Sequence, residues 1–209
     1  MNIALFGATG TVGQLVIEQA LEAGHTITAF SRNPDKLTRT HKNLRSFKGD
    51  VLDYQSVLDA VRCSDAVICA LGMPILNNDK IRSRGTMNIV EAMNASAVSR
   101  LICLSSMGVG DSHQLLSPKY KYLIAPLFMR RLFADHELQE QYIKESNLDW
   151  TVVRPGSFTK ALFSDEYRHG FTKSDKPSKI KISPLDLASF LLNQLTNNTY
   201  LHRSPCISY

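Results

Sequence analysis

Short apolar runs alternate with longer amphipathic stretches along most of the chain. "NIALF", "HTITAF", "DAVICAL", "RLICLS" and "DWTVV" are such apolar runs, and "LRSFK" is a weaker one. That is the pattern of strands covered on both faces. Between them apolar residues recur at helical spacing. Residues Thr11 to Ala23 predict a helix with Val12, Leu15, Val16, Ala20 and Ala23 on one face, ended by Gly24. Residues 54–62 predict a short helix, and residues near 81–97 a helix with Met87, Val90, Met93 and Ala97 inward. A long helix ends near Ser146. This alternation predicts an α/β fold: a doubly wound, mostly parallel sheet of about seven strands with helices on both faces. No repeat, low-complexity tract or linker interrupts it, so residues 1–209 read as one domain.

The alternation loosens after Gly156. "ALFSDEYRHGFTKSDKPSK" is polar and punctuated, which predicts a loop with a short hairpin. "SPLDLASFLLNQL" predicts a capped final helix with Pro184 in its first turn, and "PCISY" a last edge strand. Ligands of open α/β sheets lie beyond the carboxyl ends of the strands. Residues 157–182 are therefore either a substrate flap or an ordinary surface loop.

Composition narrows the classes. A chain of 209 residues with 44% hydrophobic content suits one sizeable core. The net charge is +5, with the cations dispersed except for Lys119, Lys121, Arg130 and Arg131, which share a stretch without acids. That stretch is a solvated face or an attraction for anionic ligands; no recognition motif makes it a nucleic-acid site. The apolar N-terminal run lacks a basic leader and reads as a strand, not a signal peptide. No apolar stretch reaches the roughly 18 residues of a membrane span. Cys63, Cys69, Cys103 and Cys206 form no CxxC pair, and Cys69 and Cys103 lie in strand-like runs. They read as small core residues in a reducing compartment, and the expected location is the cytoplasm. No His/Cys/Asp/Glu cluster has metal-ligand spacing.

The strongest chemical signal is "GATGTVG", in which Gly7, Gly10 and Gly13 directly follow the first strand and open the first helix. Glycines in that context permit a tight turn and close approach of a pyrophosphate to free backbone N–H groups at the helix start. Thr9 and Thr11 add hydroxyl donors. The whole pattern is that of a Rossmann-type dinucleotide site. At the end of the second strand an NAD site carries Asp or Glu on the ribose hydroxyls. This chain reads "AFSRNPDKL", with Ser31 and Arg32 there and Lys36 one turn later. A guanidinium binds a 2′-phosphate that a carboxylate would repel, so NADP(H) is expected over NAD(H). Asp35, the acid nearby, is expected to cap the following turn.

These residues resemble the atypical branch of the short-chain dehydrogenase/reductase superfamily, and within it the biliverdin-IX-beta reductase/flavin reductase group. The resemblance is carried by "ALFGATGTVG", "SRNPDKL", "KGDVLD", "DAVICALG", "RGTMNIVEAM", "RLICLSSMG", "KESNLDWTVVRPG" and "ISPLDLASFLL", in that order. It implies that Gly7, Thr9, Gly10, Thr11, Val12 and Gly13 line the pyrophosphate and that Arg32, Asp35 and Lys36 occupy the 2′-phosphate segment. Asp50 and Val51 match the pair at the adenine, although Asp50 also suits a turn cap after the third strand. Leu71 and Gly72 match the segment beside the cofactor. Pro155 and Gly156 match the strand end near the nicotinamide.

Two departures bear on the chemistry. Most of the superfamily has Tyr-x-x-x-Lys, in which lysine lowers the tyrosine pKa for proton transfer. Here Tyr120 pairs with Ile124, Tyr122 with Pro126 and Tyr142 with Ser146, so that dyad is missing. The reductase group lacks it too. The human-type reductase has a histidine where this chain has Ser157, which bears on bilin more than on flavin. Ser105 and Ser106 follow the fifth strand, where the superfamily's active-site serine lies. Ser106 is the better match, and Ser105 is assigned beside the cofactor in service of the backbone. Ser106 also suits a purely backbone-satisfying role. His136 beside Asp135 reads as a relay or as a surface or capping pair, and His113 lies in a loop.

The resemblance implies an NADPH-dependent reductase that delivers hydride to a flavin or linear tetrapyrrole, with Ser106 as the catalytic residue. The alternative is a non-catalytic NADP(H)-sensing regulator that binds a protein partner. Its docking face would be "KYLIAPLFMRRLF", within residues 119–133, a stretch that also suits the start of a helix. The expected partners are a small-molecule acceptor, with no nucleic acid and no membrane, and the expected state is a monomer or weak homo-oligomer.

Overall fold

The computed structural model describes residues 1–72, 80–159, 166–177 and 180–209, apart from the side chains of residues 124–126 and 128. In β1 (Asn2–Phe6), Ile3 and Leu5 enter one core cluster while Ala4 and Phe6 enter another. A strand with both faces apolar needs cover on both sides. Helices α1 (Thr11–Glu22) and α5 (Pro184–Asn193) supply it on the first face. Helices α2 (Tyr54–Val61), α3 (Ile81–Ala95) and α4 (Arg130–Lys144) supply it on the second. Each fully buried aliphatic side chain contributes about 1.5–3 kcal/mol, so these two layers dominate the stability.

Strands β2 (Thr26–Ser31), β3 (Leu44–Lys48), β4 (Ala66–Cys69), β5 (Arg100–Leu104) and β6 (Asp149–Pro155) run parallel to β1. Their order is β3-β2-β1-β4-β5-β6, so the winding reverses between β1 and β4. Beyond the carboxyl ends of those strands a crevice opens, and the loops after β1, β4, β5 and β6 converge on it. Cys69 and Cys103, opposite each other on β4 and β5, are fully buried core residues, as their apolar runs imply.

The late part of the chain differs from the expected edge strand. Residues β7 (Ser157–Phe158) and β9 (Lys181–Ile182) pair with each other in parallel, apart from the main sheet. The strand β8 (Arg168–His169) takes the sheet edge instead, antiparallel to β10 (Cys206–Ser208). The C-terminal "PCISY" thus lies inside an eight-stranded sheet, between β6 and β8. Strands of two residues carry no periodicity by which a sequence could reveal them. Of the suggested flap, residues 160–165 and 178–179 lie outside the described residues.

Helix faces shift in two places. In α1 the buried residues are Val12, Gly13, Val16, Ile17, Ala20 and Leu21, whereas Ala23 is exposed. In α3 the inward face carries Ser83, Gly85 and Thr86 as well as Ile89, Val90 and Met93, while Ala97 lies beyond the helix and is exposed. The polar part of that face meets polar partners on α4, which overrides a count of apolar residues. Before α4, Tyr120–Met129 forms a π-helical stretch where a regular helix start was expected. Gly24, at φ +79, does end α1, since a residue with a Cβ rarely adopts that conformation. At the other end of the chain Ser183 caps α5, accepting from the Asp186 N–H at 3.0 Å.

Candidate functional site

The turn after β1 is built around absent side chains. Gly7 has φ +86, and a Cβ there would sit 2.2 Å from the Ala70 carbonyl oxygen. A Cβ on Gly13 would sit 2.2 Å from the Gly7 carbonyl oxygen. Gly10 precedes α1 with no side-chain cap, and its own N–H donates to Gly7 O at 3.0 Å. The first turn of α1 therefore offers unfilled N–H donors and the positive end of the helix dipole. That is a cradle for a pyrophosphate, and the residues present fit a dinucleotide.

The adenosine side is open. Arg32 and Lys36 are exposed and form no ion pair among the described residues, while nearby Arg39 is held by Glu18 at 2.8 Å. Ser31, at the end of β2, is buried, and its hydroxyl has no hydrogen-bond partner among the described residues. A ligand there would satisfy it. Asp35 lies inside the short 3-10 turn Pro34–Lys36, whose cap position is Asn33, so it does not cap that turn. Asp50 does act as a turn cap: its Oδ1 accepts from the Leu52 N–H at 3.0 Å. Its other oxygen remains available. Val51 is buried against Gly85, where a Cβ would come within 2.7 Å of it.

From the cradle a cavity of about 760 Å³ runs along the carboxyl edge. Gly10, Thr11, Val12, Leu71, Gly72, Ser105, Ser106, Pro155 and Gly156 all line it. Arg32, Asp35, Lys36, Asp50 and Val51 do not, being grouped on the β2–β3 side of the turn. The outer wall is apolar: Leu116, Tyr120, Met129, Leu132, Phe158 and Ile180. Residues from the π-helical stretch and from β7 thus close a site that the glycines open.

Both serines line the cavity, but Ser105 serves a buried carboxylate where backbone was expected. Ser105 is buried, and its hydroxyl donates to Glu140 Oε1 at 2.8 Å. The same carboxylate receives Arg154 Nε at 2.8 Å and Lys144 Nζ at 2.8 Å. Arg154 is 1% exposed and reaches out to Asp111 as well. Burial pushes the Glu140 carboxyl up, but the bonds and charge of Arg154, then of Lys144, outweigh it and hold it below the usual range. Ser105 therefore serves a buried charge network, while Ser106 is the one that donates to backbone, to Met107 O at 3.2 Å.

Asp135 and His136 are a second correction, since neither is on the surface. Asp135 reaches across to α3, accepting from Ser83 N–H at 3.1 Å and Ser83 Oγ at 2.6 Å and pairing with Arg82 at 3.8 Å. It caps a neighbouring helix. His136 is 5% exposed, lines the cavity and bonds to Gln139. Burial, and next the charge of Arg82, push its pKa down to about 4. Arg82 lines the same wall. The sequence offered a capping role, which Asp135 fulfils on α3, but not the burial of either residue, because their setting is made by the packing of α3 on α4. Among the described residues no group of His, Cys, Asp and Glu is arranged to hold a metal ion. Nor is any helix among them long and apolar enough to cross a membrane.

Comparison with known proteins places this geometry. A family described as NAD(P)H-binding matches residues 7–198. An uncharacterised chloroplastic protein of Arabidopsis thaliana is 34% identical over 166 residues, 74% of this chain, which spans only 58% of that longer protein. The oxidoreductase ordB of Dothistroma septosporum is 27% identical over 206 residues, 90% of this chain and 75% of its own. Among solved structures, an anaerobillin reductase from Escherichia coli O157:H7 superposes with a TM-score of 0.80 at 21% identity, covering 100% of this chain and 97% of that one. The glycine cradle, the strand order and a family match that takes in nearly the whole chain agree, and the chain belongs to the NAD(P)H-binding family.

Proposed function

We propose that the protein is an NADPH-dependent reductase that passes hydride to a flavin or a linear tetrapyrrole. The observation that carries this reading is the cavity itself. It runs from the pyrophosphate cradle past Ser106 and Gly156 to an apolar wall, and its volume of about 760 Å³ is in the range of sites that enclose a ligand of drug size. Such a site holds two flat rings face to face. The names of an oxidoreductase relative and of a bilin-class structural neighbour agree with it.

When bound, NADPH supplies the hydride. The chain supplies position and dryness. Gly7 to Gly13 hold the pyrophosphate on the N–H groups of α1, and Arg32 with Lys36 receives the 2′-phosphate, which favours NADP(H) over NAD(H). Asp50, whose Oδ1 is held by the Leu52 N–H, would offer its other oxygen to the adenine amino group, with Val51 beside it. Leu71, Gly72, Pro155 and Gly156 flank the nicotinamide side. Ser106 gives up its long bond to Met107 O and donates to the acceptor atom that gains charge. Conjugation in the acceptor takes up that charge, so a Tyr/Lys acid is unnecessary, and water provides the proton. Residues 157–182 form the substrate flap, described at 157–159, 166–177 and 180–182, with Phe158 at the cavity wall. Thiols without disulfides fit a reducing compartment, for which we propose the cytoplasm, and a monomer or weak homo-oligomer.

A second reading rests on Tyr122, Leu123 and Leu127 of the π-helical stretch, which are 72%, 53% and 67% exposed beside Arg130. They suit a protein-docking face of a non-catalytic NADP(H) sensor. NADPH oxidation with FMN or biliverdin separates the two, because a sensor binds NADPH and consumes none.

A further inference from the structure

The π-helical stretch Tyr120–Met129 is apolar on two faces, and the cavity uses only one of them. Inward, Tyr120, Met129 and Leu132 pack on Val109, Leu116 and Phe133 and line the cavity wall. Outward, Tyr122, Leu123 and Leu127 are each more than half exposed. Their spacings of four and five residues put them on one side of a helix whose bonds run from i to i+5. A surface helix whose inner face is covered ordinarily turns polar groups to water. A grouped apolar patch in that place marks a surface that something else covers.

The charge around the patch has one sign. Residues 112–134 include Lys119, Lys121, Arg130 and Arg131 and no Asp or Glu. The lysines stand at one end of the patch and the arginines at the other. Lys119, Lys121 and Arg130 are in no ion pair among the described residues. Lys121 holds Nζ 5.3 Å from the centroid of the Tyr122 ring, so a cation sits at the edge of the apolar face.

We propose that this face docks on an anionic lipid surface. Tyr122, Leu123 and Leu127 enter the interfacial layer, and Lys119, Lys121 and Arg130 meet the headgroups. An apolar centre with cationic ends is what a helix lying in such an interface presents, and the contact needs no membrane span. Two other occupants fit less well. A second copy of this chain would bring like charges together. A protein would have to match the apolar patch and carry an acidic rim at both ends, whereas anionic headgroups over acyl chains supply both without any special shape. The docked face is the outside of the cavity's apolar wall, so docking would set that wall at the lipid surface.

Co-sedimentation of the purified full chain with lipid vesicles, without cofactor or acceptor, tests this. Vesicles of phosphatidylcholine are compared with vesicles of phosphatidylcholine and phosphatidylglycerol, at low and at high sodium chloride. The wild-type protein is expected to partition onto the mixed vesicles, to come off at high salt and to leave the neutral vesicles bare. Lys119→Gln/Lys121→Gln/Arg130→Gln should weaken the partition about a hundredfold, at about fivefold for each cation near an anionic surface. Tyr122→Ser/Leu123→Ser/Leu127→Ser should weaken it about tenfold or more. None of the six side chains is buried, so both variants should keep the wild-type melting temperature. Wild-type protein that ignores the mixed vesicles overturns the proposal and leaves the face to a protein partner. Equal binding to both kinds of vesicle, or either variant binding as the wild type does, overturns it as well. So does a dimer in sedimentation velocity that the triple serine variant splits, since the occupant is then a second copy. Failure to oxidise NADPH would count against the reductase reading alone, because vesicle binding is read without turnover.

Discussion

Arg32 and Ser106 are single side chains whose contributions can be read one at a time. An exposed, unpaired arginine costs little to reorient, so its guanidinium is available to a 2′-phosphate. Arg32→Ala is expected to weaken NADPH binding by about 1.5–3 kcal/mol, the worth of a hydrogen bond to a charged group, and to leave NADH almost unchanged. Calorimetry with both cofactors checks this, and equal weakening of the two would remove Arg32 from the 2′-phosphate. The serines should separate by kind of damage. Ser106→Ala should lower kcat/KM by about 10- to 1000-fold, as loss of one aimed donor does, with little change in stability. Ser105→Ala takes a hydrogen bond from the buried Glu140 carboxylate, so thermal unfolding should record a loss of about 1.5–3 kcal/mol. A Ser106→Ala protein that turns over at the wild-type rate would place the donor elsewhere.

At the scale of elements, the turn between β1 and α1 is the most demanding. Gly13→Ala adds a methyl where the Gly7 carbonyl stands 2.2 Å away, with the Ala8 Cα at 3.0 Å, and backbone on both sides cannot yield as a side chain would. We expect loss of NADPH binding together with a fall in melting temperature. Unchanged calorimetric affinity for NADPH in that variant would contradict the cradle. This turn was legible in the sequence because glycine spacing is local and each glycine marks a backbone need. The α3–α4 interface was not. Asp135 and His136 are adjacent in sequence, but their partners Ser83, Arg82 and Thr86 lie on another helix, and no local period announces a polar face that is buried. The setting of Ser105 was hidden for the same reason, since Glu140 and Arg154 come together at its hydroxyl only through tertiary packing. The short β8 and β9 left no pattern to read, whereas β1, β2, β4, β5 and β6 did because each carries apolar residues on both faces; β3, with only Leu44 and Phe47 apolar, gave the weaker signal.

The whole molecule carries its ionisable burden near the site, and that fixes how stability should depend on pH. His136 titrates at about 4 in the fold and at 6.5 in the unfolded chain, so the unfolded state takes up the proton first as pH falls. Stability should therefore decline from about pH 6.5 to about pH 4, by about 3 kcal/mol for this group. Glu140 is held below its ordinary range, so its contribution is present above the unfolded carboxyl pKa and is lost as pH falls through the lower folded value. Melting temperature against pH checks the first window, which should flatten in His136→Gln. The most direct test of the reductase claim is NADPH consumption by the purified protein with FMN or biliverdin. Rapid loss of NADPH absorbance with formation of reduced acceptor, abolished or strongly slowed by Ser106→Ala, is the result predicted. Tight NADPH binding without consumption in the presence of either acceptor would contradict it.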